Sequence, residues 1–294
     1  MKPRVSIIIR TYNESKYLGK ALEAVRSQNY SAGLEVLIVD SGSTDNTREI
    51  AQSFDCEIIK IAKDEFSFGR SLNRGCSNAK GDFLVFISGH CIPADNDWLK
   101  NLIQPFADDQ IALVYGRQTG GSSTKFSEQQ LFLKYFPKTS KIPQMGFFCN
   151  NANAAIRKSV WMELPYDEDL TGLEDMDWAK QAIARGHKIA YEADSCVIHL
   201  HEETWKKVKL RYEREAIALQ RIMPEIHLSV PDFLRYFFSG VLNDWSRAIK
   251  QRKFLPLAIQ CVLFRFCQYY GSYAGNHEHR RLSKAAKERY FYPR

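Results

Sequence analysis

Short apolar blocks alternate with amphipathic stretches through the first third of the chain. Val5 to Ile9 is a β-branched run closing on the polar segment TYNES, Thr11 to Ser15, the pattern of a buried strand that delivers its C-terminal end to a site. Tyr17, Leu18, Ala21, Leu22 and Val25 then repeat at the spacing of one helix face. A second apolar run, Val36 to Val39, ends at Asp40, and the polar turn SGSTDNT after it can cap a helix running towards Phe54. A further cycle follows: a strand at Ile58 to Ile61, a helix around Ser71 to Ala79 and a strand at Phe83 to Ile87. Such alternation predicts a parallel, doubly wound sheet covered by helices. Ligands of these sheets sit beyond the carboxyl ends of the strands, which directs attention to Thr11 to Glu14, Asp40 to Ser43 and Ser88 to Cys91.

Past Gly116 the alternation loosens, and Gly120, Gly121, Ser122 and Ser123 read as a turn or mobile loop where an acceptor side begins. A helix over Glu174 to Arg185 closes at Gly186, and two strand-like runs, Lys188 to Glu192 and Cys196 to Leu200, finish the sheet. After Thr204 the pattern is helical, with Leu234, Phe237, Phe238, Val241, Trp245 and Ala248 on one face and a second apolar segment from Leu255 to Tyr270. Arg247 and Lys250 close the first and Gln260 and Arg265 interrupt the second, so neither offers the roughly 18 to 20 apolar residues of a membrane span. The division expected is residues 1–204 as one α/β domain and residues 205–294 as a helical appendage.

Charge sharpens that division. The net charge is +7, but residues 205–294 carry 18 Lys and Arg against 7 Asp and Glu, a balance of +11, which leaves −4 on the rest. A basic, aromatic-rich tail suits peripheral contact with an anionic membrane, while packing on the first domain or on a second subunit is the alternative. The seven cysteines form no CxxC pair, which suits neither a disulfide framework nor a zinc site. No basic-then-apolar leader precedes Val5, so the expected location is cytoplasmic, including the inner face of the cell membrane. No GxxxxGK[ST] phosphate loop and no nucleic-acid motif is present, so nucleic acid is not an expected partner.

In order and spacing, TYNES, VDSGSTDNT, FSFGRSLNRG, SGHCIP with Trp98 and Leu99, and GLEDMDW resemble the family-2 inverting glycosyltransferases, over roughly Val5 to His201. The resemblance implies a GT-A type, Rossmann-like doubly wound fold that passes a sugar from a nucleotide-sugar donor to a glycan or lipid-linked glycan hydroxyl in surface polysaccharide synthesis. It places Asp40 on the nucleotide base, with Thr11, Asn13, Glu14, Ser43, Asn73 and Ser88 around the donor. Glu14 also suits the first turn of a helix, and Asp40 a helix cap. Phe66, Gly69 and Asn73 match rhamnosyltransferase-like members. Leu72 stands where those often have arginine, which weakens an assignment of rhamnose as the donor sugar and leaves that sugar open. Arg70 and Arg74 are further phosphate candidates. The family's metal-binding Asp-x-Asp is replaced by Ser88, Gly89 and His90, so a divalent metal (Mn or Mg) held by His90, His199 and His201 stands beside direct contact of His90 with phosphate. Asp175, paired with Glu174, matches the general base that takes the acceptor proton, and Asn151, Asn153 and Trp178 fall on the acceptor side. Two alternatives stay open: a catalytically silent nucleotide-sugar-binding module, and a metal-independent transferase using a CMP-sugar.

Overall fold

In the computed structural model, residues 4–278 and 290–292 are described; the part of the basic tail at 279–289 and 293–294 lies outside them. In chain order the elements are β1 (Val5–Thr11), α1 (Leu18–Arg26), β2 (Leu34–Asp40), α2 (Thr47–Ser53), β3 (Glu57–Lys60), α3 (Phe68–Asn78), β4 (Phe83–Ser88), β5 (Cys91–Pro93), α4 (Trp98–Ile103), β6 (Ile111–Gly120), α5 (Phe126–Tyr135), β7 (Asn153–Arg157), α6 (Lys158–Glu163), α7 (Glu174–Ala184), β8 (Lys188–His199), α8 (Trp205–Ile222), α9 (Val230–Lys250) and α10 (Phe254–Asn276). The chain divides into two compact units, one of 1–121, 135–169 and 174–200, the other of 122–134, 170–173 and 201–294.

The first unit is built on an eight-stranded sheet in the order β3-β2-β1-β4-β7-β6-β8-β5. The alternating part of the sequence supplies its parallel half, β3-β2-β1-β4. Beyond β4 the sheet is mixed, because β7 runs antiparallel to both β4 and β6 while β6 and β8 are parallel. The central strands are apolar on both faces since helices cover both. Ile7, Ile9, Ile38, Val85 and Ile87 join Leu18, Leu22, Trp98 and Leu102 in one core cluster. Small residues let α3 lie close: a Cβ on Gly75 would stand 2.5 Å from Ile8 Cγ2. The two runs read in the sequence as separate strands are one, β8, whose register against β6 jumps from Gly116 opposite Glu192 to Arg117 opposite Cys196. Ala193, Asp194 and Ser195 bulge out between them, and a bulge of this kind hides a strand from a simple two-residue period.

The second unit is helical, with α10 against α8 and α9. Ser229 begins α9 with a reciprocal capping box to Asp232. Arg265 of α10 makes a two-pronged pair with Asp244 of α9, at 2.7 and 2.8 Å, and Asp244 is 1% exposed. Phe126 of α5 belongs to a small core with Ala248 and Cys261. No helix is long and apolar enough to cross a membrane among the described residues.

Candidate functional site

Parallel pairing brings the ends of β1, β2 and β4 together, with Thr11 opposite Asp40 and Arg10 opposite Ser88. Two loops meet there and are stitched by side chains. Asn13, at φ 57°, accepts from the Thr44 N–H at 2.8 Å, its own N–H donates to Ser43 Oγ at 2.9 Å, and the Glu14 N–H donates to Thr47 Oγ1 at 2.8 Å. Asp40 is buried at their centre. Its Oδ1 accepts from the N–H groups of Gly42 and Ser43, and its Oδ2 from the hydroxyls of Thr11 and Ser43. Four donors match the acceptor capacity of a carboxylate, so Asp40 shapes the loop from within.

β4 ends at Ser88, and the turn after it carries Gly89 and His90. A Cβ on Gly89 would meet Glu14 Cγ at 3.0 Å, and this close approach lets Glu14 Oε1 reach His90 Nδ1 at 2.9 Å. Because β5 pairs with β8 so that Cys91 faces His199, the preceding His90 ring stacks on His199, centroids 5.0 Å apart. His199 in turn meets Gln118 Oε1 at 2.7 Å. Two imidazoles with a carboxylate behind one of them could hold a borderline divalent ion, and suit hard Mg²⁺ less than paired carboxylates would. His201 belongs to the second unit. There it contacts Glu128 at 2.8 Å, and Arg211 bridges Glu128 and Glu203. Burial opposes ionisation of Glu203, but Arg211 and His201 outweigh it and hold its carboxyl down at about 2.

Glu174 and Asp175 open α7, where the helix dipole favours acidic side chains. Both are buried. Asp175 accepts from the N–H groups of Asn151 and Met176, each at 2.8 Å, while Arg10 donates to Glu174 Oε1 at 3.1 Å and to the Phe68 carbonyl at 3.2 Å. Burial first, and then the Glu174 charge, push the Asp175 carboxyl up to about 7, against the pull of those two N–H groups and Arg10. The Cys149 thiol is pushed well up by the same burial and by both carboxylates. Beside Asp175 the Asn151 amide and the Tyr166 hydroxyl face each other in the interior, without a hydrogen bond of ordinary geometry to any other group.

Three expected contacts are corrected. Asn73 gives both amide hydrogens away, to the Tyr166 carbonyl and Glu168, and its oxygen accepts from Trp161 and the Tyr166 N–H, so nothing is left for a nucleotide. Asn153 is fully buried; it accepts from Trp98 Nε1 and donates to the Arg117 and Ser195 carbonyls, pinning the bulge of β8. Trp178 is 1% exposed and donates to the Leu164 carbonyl, as part of the core under α7. Arg70 is turned to Glu168 and the Glu65 carbonyl. Arg10, Tyr166 and Cys149 were not singled out by the sequence. Arg10 carried the one available signal, a cation at the end of an otherwise apolar strand.

Residues 6–164 match the family model described as glycosyl transferase family 2. The chain is 30% identical over 292 residues to the O-antigen chain rhamnosyltransferase WbaN of Salmonella anatum, covering 94% of this chain and 90% of that protein. It is 38% identical over 265 residues, 87% of this chain and 70% of the other, to a Methanococcus voltae protein named dolichyl N-acetyl-alpha-D-glucosaminyl phosphate 3-beta-D-2,3-diacetamido-2,3-dideoxy-beta-D-glucuronosyltransferase. Among solved structures, the mannosyltransferase PcManGT from Pyrobaculum calidifontis, determined with GDP-Man and Mn²⁺, aligns at a TM-score of 0.63 and 16% identity, over 99% of this chain and 88% of that one, which shows the shared GT-A fold. With a sheet of this order, a stitched loop pair and an acidic pair opening α7, the chain belongs to glycosyl transferase family 2 and is a glycosyltransferase of the GT-A fold.

Proposed function

We propose that the protein transfers a sugar with inversion from a nucleotide-sugar donor to a hydroxyl of a glycan or lipid-linked glycan in surface polysaccharide synthesis. The observation that carries this reading is Asp175, a buried carboxylate that opens α7 beside Glu174, Asn151 and Tyr166 and whose affinity for a proton is raised close to neutrality. A general base works best when its pKa lies near the operating pH. Asp175 takes the proton of the acceptor hydroxyl as that oxygen attacks the anomeric carbon opposite the leaving phosphate, with Asn151 and Tyr166 near the acceptor oxygen. The loops of Thr11 to Glu14 and Asp40 to Thr47 cradle the nucleotide. Asp40, buried and filled by four donors, keeps the shape of that cradle in place of the direct base contact expected of it. His90 and His199 would hold a divalent ion if one is bound, and its chemistry would be to offset charge on a leaving diphosphate. With no ion, a His90 proton serves the phosphate directly. The names of the Salmonella and Methanococcus relatives support a glycan or lipid-linked acceptor.

Asp175→Asn tests the central role. Its expected outcome is a loss of about 10² to 10⁴ in kcat with donor affinity retained, read by transfer assay and calorimetric titration. Turnover near the wild-type rate would remove Asp175 from the chemistry. A donor screen over dTDP, UDP, GDP and CMP sugars, with Mn²⁺ and with excess EDTA, tests the ion; full activity in EDTA assigns His90 to phosphate.

A further inference from the structure

The second unit presents an apolar face that the chemistry does not use. Along α9, Leu234, Phe238, Leu242 and Ile249 recur at helical spacing and are 44 to 61% exposed. Along α10, Leu255 and Ile259 are 87 and 74% exposed, with Phe266 and Tyr270 continuing the same stripe. The two stripes form one face, because Phe237 lies 5.1 Å from Phe238 and 6.1 Å from Phe266, ring to ring, and Phe266 stacks on Tyr270 at 5.4 Å. Lys250, Arg252 and Lys253 crowd the tip between the helices, all exposed. From Val230 to Asn276 the sequence holds only two acids, Asp232 and Asp244. Asp232 caps α9 and Asp244 is buried against Arg265, so the hairpin has no carboxylate to spare for those three cations.

An apolar stripe rimmed by uncompensated cations matches the head-group region of an anionic bilayer, where apolar side chains sink and Lys and Arg stay at the phosphates. A second copy seated on the same face has no free hairpin carboxylate to offer the tip. The helices are too polar to span, so such a hairpin lies in the plane of the interface. We propose that the α9–α10 hairpin docks the protein on an anionic lipid surface, with Leu255 and Ile259 inserted and Lys250, Arg252 and Lys253 on lipid phosphates. This rests on the proposed lipid-borne acceptor. Vesicle binding is read without sugar transfer, however, so failure of the chemistry and failure of the surface are separate results.

The test is flotation of the full chain with phosphatidylcholine vesicles, with and without about a quarter phosphatidylglycerol, at low salt and at about 0.5 M salt. Binding is expected on the anionic vesicles and is expected to fall at least tenfold without phosphatidylglycerol or in high salt. Each neutralised cation costs about fivefold in partitioning, so K250Q/R252Q/K253Q lowers it on the order of a hundredfold. L255S/I259S is expected to abolish binding while leaving donor hydrolysis unchanged, which shows that the variant is folded. Asp175→Asn is expected to float like the wild type. No binding at low salt, equal binding by both hairpin variants, or a dimer in light scattering that L255S/I259S splits would each overturn the proposal, the last by assigning the face to a second copy.

Discussion

With Asp175 as the proposed base, the pH dependence of the reaction becomes a property of three side chains. A base must be ionised, so activity is expected to fall as pH drops through about 7, the value to which burial and Glu174 raise its carboxyl. Removing the neighbouring charge in Glu174→Gln takes away a cause that raises Asp175, so the acidic limb of kcat/KM moves to lower pH. Arg10→Met removes a cation that lowers it, and the limb moves to higher pH; with Glu174→Gln in the same chain that upward shift shrinks, since Arg10 is bound to Glu174. Limbs that stay put in both variants would show that the pair does not titrate as the base. The acidic pair was legible in the sequence because two carboxylates at a helix start follow one another in GLEDMDW. The partnership with Arg10 was not, because it joins positions 164 residues apart, which no local pattern records. Asn73, Asn153 and Trp178 misled for a related reason: a polar or aromatic side chain next to a motif looks available until its partners are known. The structure spends all three inside the fold.

At the level of elements, the FSFGRSLNRG segment is a clamp. Ser67 caps α3, Asn73 ties down the Tyr166 backbone on both sides, and Arg70 holds Glu168, so one helix fixes the loop that carries Tyr166 to the site. Gly69 allows the approach, since a Cβ there would stand 2.0 Å from the Asp167 carbonyl oxygen. That oxygen is backbone and cannot rotate away. Gly69→Ala is therefore expected to destabilise by about 2 to 4 kcal/mol and to lower kcat as well, measured by denaturant titration and transfer assay; an unchanged midpoint would show that the loop yields freely. The parallel strands were readable because a strand buried on both faces is an unbroken apolar run. The antiparallel direction of β7 and the continuity of β8 were not, since reversal of direction leaves no trace in hydrophobic period and Ala193 to Ser195 break β8 into two runs.

Across the whole molecule, the turn to helical pattern and basic charge after Thr204 was visible in composition. The membership of Ser122 to Lys134 and Leu170 to Leu173 in the second unit was not, because it is set by contacts with residues far along the chain. The buried pair of Arg265 and Asp244 holds α9 and α10 in register. Arg265→Met leaves a carboxylate stranded in the interior and is expected to cost about 3 to 5 kcal/mol, whereas R265M/D244L recovers most of it; urea midpoints decide, and a single variant as stable as the wild type would show that water reaches Asp244. The interleaving of segments also sets an order in time. Phe126 packs with Ala248 and Cys261, more than a hundred residues downstream. A ribosome adding about 5 to 20 residues per second delivers those partners roughly 6 to 27 seconds after Phe126 itself. For that interval Phe126 is an apolar side chain made before the two residues it packs with, so its small core closes only as the last third of the chain is synthesised.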